Sequence, residues 1–110
     1  MNIADVVNKL NLDVLAGKSH LNKEVTGGYC ADLLSDVMAN ANEGDLWITL
    51  QIHKNILAVA TLKEIAAIII VKGLKPDEET LAVSEKEEIP ILSTKESAFD
   101  IAGKLYQLVK

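Results

Sequence analysis

The sequence has no arginine: all 11 of its basic residues are lysines, set against 16 acids for a net charge of −5 over 110 residues. Guanidinium is the group that grips phosphates and guanine edges through two parallel hydrogen bonds. Without it, and with a negative chain that works against approach to a phosphate backbone, nucleic acid is not an expected partner. The acid excess is spread out: residues 1–44 carry three lysines and six acids, residues 45–110 eight and ten. Cysteine is also scarce. Cys30 is alone, so no internal disulfide can form, which fits a reducing compartment. Aromatics make up only 4% of the chain, so a core must be built from Ile, Leu, Val and Ala. Met1 to Asp5 shows neither the basic nor the apolar region of a signal peptide. The longest near-continuous apolar run, Ile65 to Val71, is far too short to cross a bilayer. These absences predict a soluble, cytoplasmic protein that uses no membrane.

What is present suffices for a core. At 49% apolar residues, 110 residues make one domain, taken as 1–110, that folds without staples. Ile3, Val6, Val7 and Leu10 recur at helical spacing. Leu12 to Leu15 reads as a short extended piece ending at Gly17. Residues 18–30 are polar and give no clear assignment, and Gly27-Gly28 reads as a turn. Ala31 to Asn40 has helical spacing through Leu33, Leu34, Val37 and Met38. From Asp45 the pattern sharpens: a strand at 45–50, a helix at 54–64 and a buried β-branched strand at 66–71. A helix at 76–87 follows, with Pro76 in its first position and acids behind it. Next come a strand at 90–92, a capping box from Ser93 to Glu96, and a final helix at 95–109. Strands alternating with helices at these spacings imply βαβ crossovers, hence an α/β fold with a mainly parallel sheet flanked by helices.

Parallel sheets bind ligands at the carboxyl ends of their strands. Three loops lie there: Gln51-Ile52-His53-Lys54, Lys72-Gly73-Leu74-Lys75 and Ser93-Thr94-Lys95. With the strand-end Thr49 and the helix-start Asn55, they make Thr49, His53, Asn55, Lys72, Gly73, Ser93 and Thr94 the candidate ligand-binding residues. Helix N-termini beside lysines suit a weak anion site; ordinary helix starts with solvated lysines account for the same residues. Asp77, Glu78 and Glu79 would repel a phosphate near the second loop. His53 has no acid close in sequence to orient it as a base, so packing or helix capping is the plainer role, and His20 reads as surface. Cys30 and Asp32 show no metal-ligand spacing, and Cys30 reads as a buried structural thiol. Neither G-x-x-x-x-G-K-[ST] nor G-x-G-x-x-G occurs. No catalytic residue, metal or cofactor is assigned.

Apolar surplus is a second signal. Ile56, Leu57, Ala58, Val59, Ala60 and Leu62 nearly surround the helix at 54–64, where a surface helix shows only a stripe. Either this helix is sandwiched inside the domain, with the N-terminal segment across it, or a partner covers it. A homodimer is the partner expected, with Trp47, Ile56 and Leu57 as candidate interface residues; a metabolic enzyme or regulatory protein is the alternative.

The run Gly44-Asp45-Leu46-Trp47-Ile48-Thr49, then Asn55-Ile56-Leu57-Ala58-Val59-Ala60, then Ile68-Ile69-Ile70-Val71-Lys72-Gly73-Leu74-Lys75-Pro76, resembles the DRTGG domain. Ile89-Pro90-Ile91-Leu92-Ser93-Thr94 and Ser97-Ala98-Phe99 extend the likeness over roughly residues 12–108. The name-giving Asp-Arg pair would fall near Ile52 and His53, and the Thr-Gly-Gly on Val71, Lys72 and Gly73, where only Gly73 is kept. The resemblance implies a fold like the N-terminal domains of HPr kinase and the Mur ligases. It also implies a module of the kind found with phosphotransacetylases and CBS-domain pyrophosphatases. The expected function is a non-catalytic regulatory or dimerising module. The alternative is a sensor of a nucleotide or phosphorylated metabolite at the strand-end loops. A kinase label would belong to a catalytic domain of the HPr kinase, not to this module.

Overall fold

The computed structural model describes all 110 residues. In chain order the elements are α1 (Ile3–Leu10), β1 (Asp13–Ala16), a single 3-10 turn (Lys18–His20), β2 (Gly27–Cys30), α2 (Leu34–Asn40) and β3 (Asp45–Thr49). There follow α3 (Asn55–Lys63), β4 (Ala67–Ile70), α4 (Glu78–Glu87), β5 (Ile91–Ser93) and α5 (Ala98–Val109). The strands form one sheet in the order β1-β5-β4-β3-β2. β2 to β5 run parallel, and β1 closes the far edge antiparallel to β5. The sheet is therefore mainly parallel, as the alternating pattern predicts.

Three successive crossovers lay the strands down in one direction. Crossovers of one hand then put their helices on one face, and α2, α3 and α4 share a face with Trp47, Ile68, Ile70 and Ile91. α1 and α5 cover the other face over Leu46, Ile48, Ala67, Ile69 and Leu92. Alternate residues of β3 and β4 thus feed two separate cores, as the period of two demands. All five residues of β3 and all four of β4 are buried. That is why they read as continuous apolar runs.

Several expectations need correction. The unassigned stretch before residue 30 contains β2, and Gly27-Gly28 lie in this strand, not in a turn. The reason is close approach: a Cβ on Gly28 would stand 2.9 Å from Leu105 Cδ2, so the absence of a side chain lets α5 lie against the strand. Pro76 does not start α4. Asp77 is its N-cap, accepting from Thr80 N at 2.9 Å, and Pro76 lies outside the helix. Ser93 does not open a capping box, because it completes β5, and sheet-like pairing runs one residue further as Thr94 N donates to Ile70 O. α5 begins later, capped by Ser97, whose hydroxyl accepts from Asp100 N. α2 also starts later than expected, at Leu34. Cys30 is exposed, not buried, because it ends an edge strand.

The interface assigned to Trp47, Ile56 and Leu57 is likewise corrected: all three are buried within the chain, at 0%, 0% and 1% exposure. Trp47 Nε1 donates to Ala31 O at 2.8 Å, which satisfies the indole inside the core. The apolar surplus of the 54–64 helix is mostly taken up inside the domain, where Ile56, Leu57, Val59 and Ala60 are buried, while Asn55, Ala58 and Leu62 face outward. The covers of this helix are α2 and α4, whereas α1 packs with α5 on the opposite face.

Candidate functional site

The three strand-end loops do lie along one edge of the sheet, but most of their polar groups are already engaged with each other. Thr49 is buried; its hydroxyl donates to Asp32 Oδ1 at 2.9 Å and accepts from Gln51 N at 3.1 Å. The same Asp32 oxygen accepts from Leu50 N at 2.7 Å, so one carboxylate after β2 brackets the turn after β3. Lys72 and Gly73 both hold left-handed backbone, φ 60° and 69°. For Lys72 this is an unfavourable conformation, at a position where the resemblance would set glycine. Their N–H groups donate to Glu96 O at 3.0 Å and Thr94 O at 2.8 Å, stitching the loop after β4 to the loop after β5. Those backbone donors are therefore not turned toward a ligand.

The helix N-termini are filled in the same way. His53 is exposed, and its Nδ1 accepts from Asn55 N at 3.1 Å, a capping role at the start of α3. Lys54 is tied to Glu79 at 2.6 Å, and this ion pair raises the lysine's pKa. At α4 the cap is Asp77 itself. The backbone hydrogen bond from Thr80 holds its carboxyl below the ordinary value. Ser97 fills the start of α5. Nowhere do three or more His, Cys, Asp or Glu side chains converge as a metal would require.

The candidate residues also part company in the surface relief. Ser93 and Thr94 line a cleft of about 890 Å³, the largest on the molecule, beyond the carboxyl end of β5. Asn55 lies in a separate groove between α3 and α4. Thr49, His53, Lys72 and Gly73 line neither. The large cleft is completed by groups that the strand-end argument misses: Lys9 and Asn11 at the end of α1, Asp13 of β1, and Lys104 and Gln107 of α5. They arrive because β1 pairs antiparallel with β5, with Asp13 opposite Ser93. This pairing carries the end of α1 to the same edge. A four-residue strand at the chain's start gives no sequence signal of its partner.

The charge of this cleft sets it apart. Lys9, Lys95 and Lys104 against Asp13 and Glu96 leave a local balance of +1 in a chain of −5. A second cleft, at the amino ends of the strands, holds Lys23 against Glu24, Glu43, Glu64 and Glu87, a balance of −3. Within the first, Lys104 Nζ pairs with Glu96 at 2.7 Å, which leaves Lys9 and Lys95 without acid partners. Ser93 and Thr94 are buried at its floor, and the Thr94 hydroxyl accepts from Glu96 N at 3.2 Å. The arrangement can receive a small anion through two free ammonium groups and hydroxyl donors. It offers no paired acid and base for proton transfer.

No helix is long and apolar enough to cross a membrane. No curated protein matches the chain in sequence. Among solved structures, one of similar fold is that of the CBS and DRTGG domains of the regulatory region of Clostridium perfringens pyrophosphatase, complexed with its activator, diadenosine tetraphosphate. The likeness has a TM-score of 0.69 over 94% of this chain, at 17% identity, and this chain spans 45% of that one. Matching over residues 5–108, nearly its whole length, this chain belongs to the DRTGG domain family.

Proposed function

We propose that this protein is a non-catalytic regulatory module whose state is set by a small phosphorylated ligand held in the cleft beyond β5. Membership of the DRTGG family and the similarity to part of an enzyme's regulatory region support the regulatory half of this reading. The activator in that structure is held by a chain that also carries CBS domains, so support for a ligand here must come from this chain. The observation that carries it is the +1 balance of the Ser93–Thr94 cleft in a protein of −5. Charge of that sign, focused in a concave site, raises the local concentration of anions. Lys9 and Lys95 would hold phosphate oxygens, with Ser93, Thr94 and Gln107 as neutral donors.

The strand-end expectation thus narrows to Ser93 and Thr94 and extends to α1 and α5. Isothermal titration with ATP and with diadenosine tetraphosphate tests it. Saturable binding that weakens in Lys9→Ala and Lys95→Ala, and survives in His53→Ala, is the expected result. Binding that His53→Ala abolishes and the two lysine variants leave intact would move the site to the loop after β3 and refute the cleft. The non-catalytic half predicts no transfer of phosphate from ATP to a protein substrate by the pure chain.

A further inference from the structure

Three exposed aliphatic side chains stand in a row that neither core uses. Leu33 follows β2, Ile52 follows β3 and Leu74 follows β4, and they are 67%, 40% and 39% exposed. The three strands are parallel neighbours, so their loops leave one edge of the sheet within two strand spacings, about 10 Å. None of the three residues lines the cleft beyond β5. Along this edge the polar groups are turned inward. Asp32 accepts from Leu50 N and the Thr49 hydroxyl, and Gln51 Nε2 donates to Asp32 O at 3.1 Å. Asp77 caps α4, and Lys54 is paired with Glu79. The aliphatic groups are the ones left in water. Leu33 even takes the N-cap of α2 without making a capping bond, at a position where Ser, Thr, Asp or Asn stabilises a helix. At 67% exposure, packing within the chain does not offset that local cost.

We infer that this edge docks an acidic, apolar segment of another protein, with Leu33, Ile52 and Leu74 as its anchors. Charge selects the occupant. Lys72 and Lys75 flank Leu74, both exposed and neither paired within the chain. Glu78, in the adjoining first turn of α4, is the acid left without a partner beside them, so the free charge here is +1 in a chain of −5. Asp or Glu beside a partner's apolar groups would meet both lysines. A second copy fits worse: two such edges would set lysine against lysine. The acid-rich cleft lies at the opposite edge, so copies could join only head to tail, in a series that need not close. Two free lysines also fall short of the basic cluster that holds a protein to an anionic bilayer. The row suits a helix in length, because seven residues rise about 10 Å. Anchors at i, i+3 or i+4 and i+7 of an amphipathic helix would then meet the three side chains. The hydrogen bonds between the loops hold the edge in shape before a partner arrives, which lowers the ordering cost of docking.

A library of random peptides displayed on phage, selected on the purified full chain, tests this without any ligand in the cleft. Selected peptides should carry Asp or Glu beside Leu, Ile or aromatic residues at helical spacing. In fluorescence anisotropy with such a peptide, Leu74→Ser should raise the dissociation constant by about tenfold or more, and so should the double variant Lys72→Glu, Lys75→Glu. Leu62→Ser, 69% exposed at the end of α3, should leave it unchanged. Failure to select any peptide, or selection of basic or uncharged sequences, would overturn the inference. So would binding indifferent to the lysine reversal, or to Leu74→Ser in a chain that keeps its Tm. Co-sedimentation with phosphatidylserine vesicles that the lysine reversal abolishes would also overturn it, and would give the edge to a membrane.

Discussion

α3 and α5 are both rich in apolar residues, and they use them in opposite ways. α3 has apolar residues on nearly every side because it is covered on nearly every side: the sheet lies beneath it, and α2 and α4 flank it. One narrow stripe along it, Asn55, Ala58 and Leu62, reaches water, with Leu62 69% exposed. α5 is amphipathic and lies over β2 near an open sheet edge, so two rings that its core does not need are left outside. Apolar content alone therefore does not locate a free surface. What locates it is apolar residues on the face that the helix's own stripe excludes.

The sharpest way to break this contrast is truncation. Leu57→Ala in α3 leaves a cavity under covering helices and should cost about 2–5 kcal/mol, with Trp47→Ala at about 3–5 kcal/mol. Urea unfolding, compared at constant slope, reads both. If either cost fell near zero, α3 would not be the enclosed helix described here. The helix caps come next. Asp77→Ala removes the acceptor for Thr80 N at the start of α4, the helix that covers α3, and should cost about 1 kcal/mol. The Asp77 carboxyl titrates below its ordinary value when folded. Its stabilisation is thus present above the unfolded pKa and fades as pH falls through the lower folded one. Ser97→Ala at the start of α5 should cost a similar amount with no such acid dependence. Equal pH profiles for the two variants would contradict the assignment of Asp77 as the charged cap.

Smaller still is Phe99→Ala. It should shift stability by no more than about 0.5 kcal/mol, and a core-sized loss would mean that the ring packs internally. The smallest effect is chemical. Cys30 lies beside α5, and its thiol pKa is raised, first by partial burial and then by Asp32. Alkylation near neutral pH should therefore run slower than for an unstructured cysteine, and Asp32→Asn should quicken it. A rate at or above that of a free thiol would show that the sulfur is neither covered nor held protonated.

The centre of the fold was readable because burial on both faces leaves a plain record. The β3 and β4 runs and the helix between them announce a parallel sheet through β-branched and apolar continuity alone. The edges were not. β2 is a Gly-Gly-Tyr-Cys strand in which Gly28 makes room for α5 and Gly27 for the Asp45 carboxylate, tertiary reasons that imitate a turn. Ser93 followed three residues later by Glu96 has the spacing of a capping box, but strand pairing claims Ser93 first. The loops were found, yet the engagement of Lys72 and Gly73 with Glu96 and Thr94 depends on neighbours far along the chain. For the same reason Lys9, Asn11 and Lys104 could not be joined to Ser93 before the antiparallel β1–β5 pairing was known.

The proposed ligand site is tested most directly by thermal unfolding of the wild-type and Lys95→Ala chains in rising concentrations of diadenosine tetraphosphate and ATP. A ligand held in the cleft stabilises the folded chain by about 2.7 kcal/mol at a hundredfold excess over its Kd. The account predicts a saturable rise in Tm for the wild type that shrinks in added salt and is largely lost in Lys95→Ala. A wild-type Tm that stays flat with every phosphorylated compound, or a rise undiminished in Lys95→Ala and Lys9→Ala alike, would contradict it.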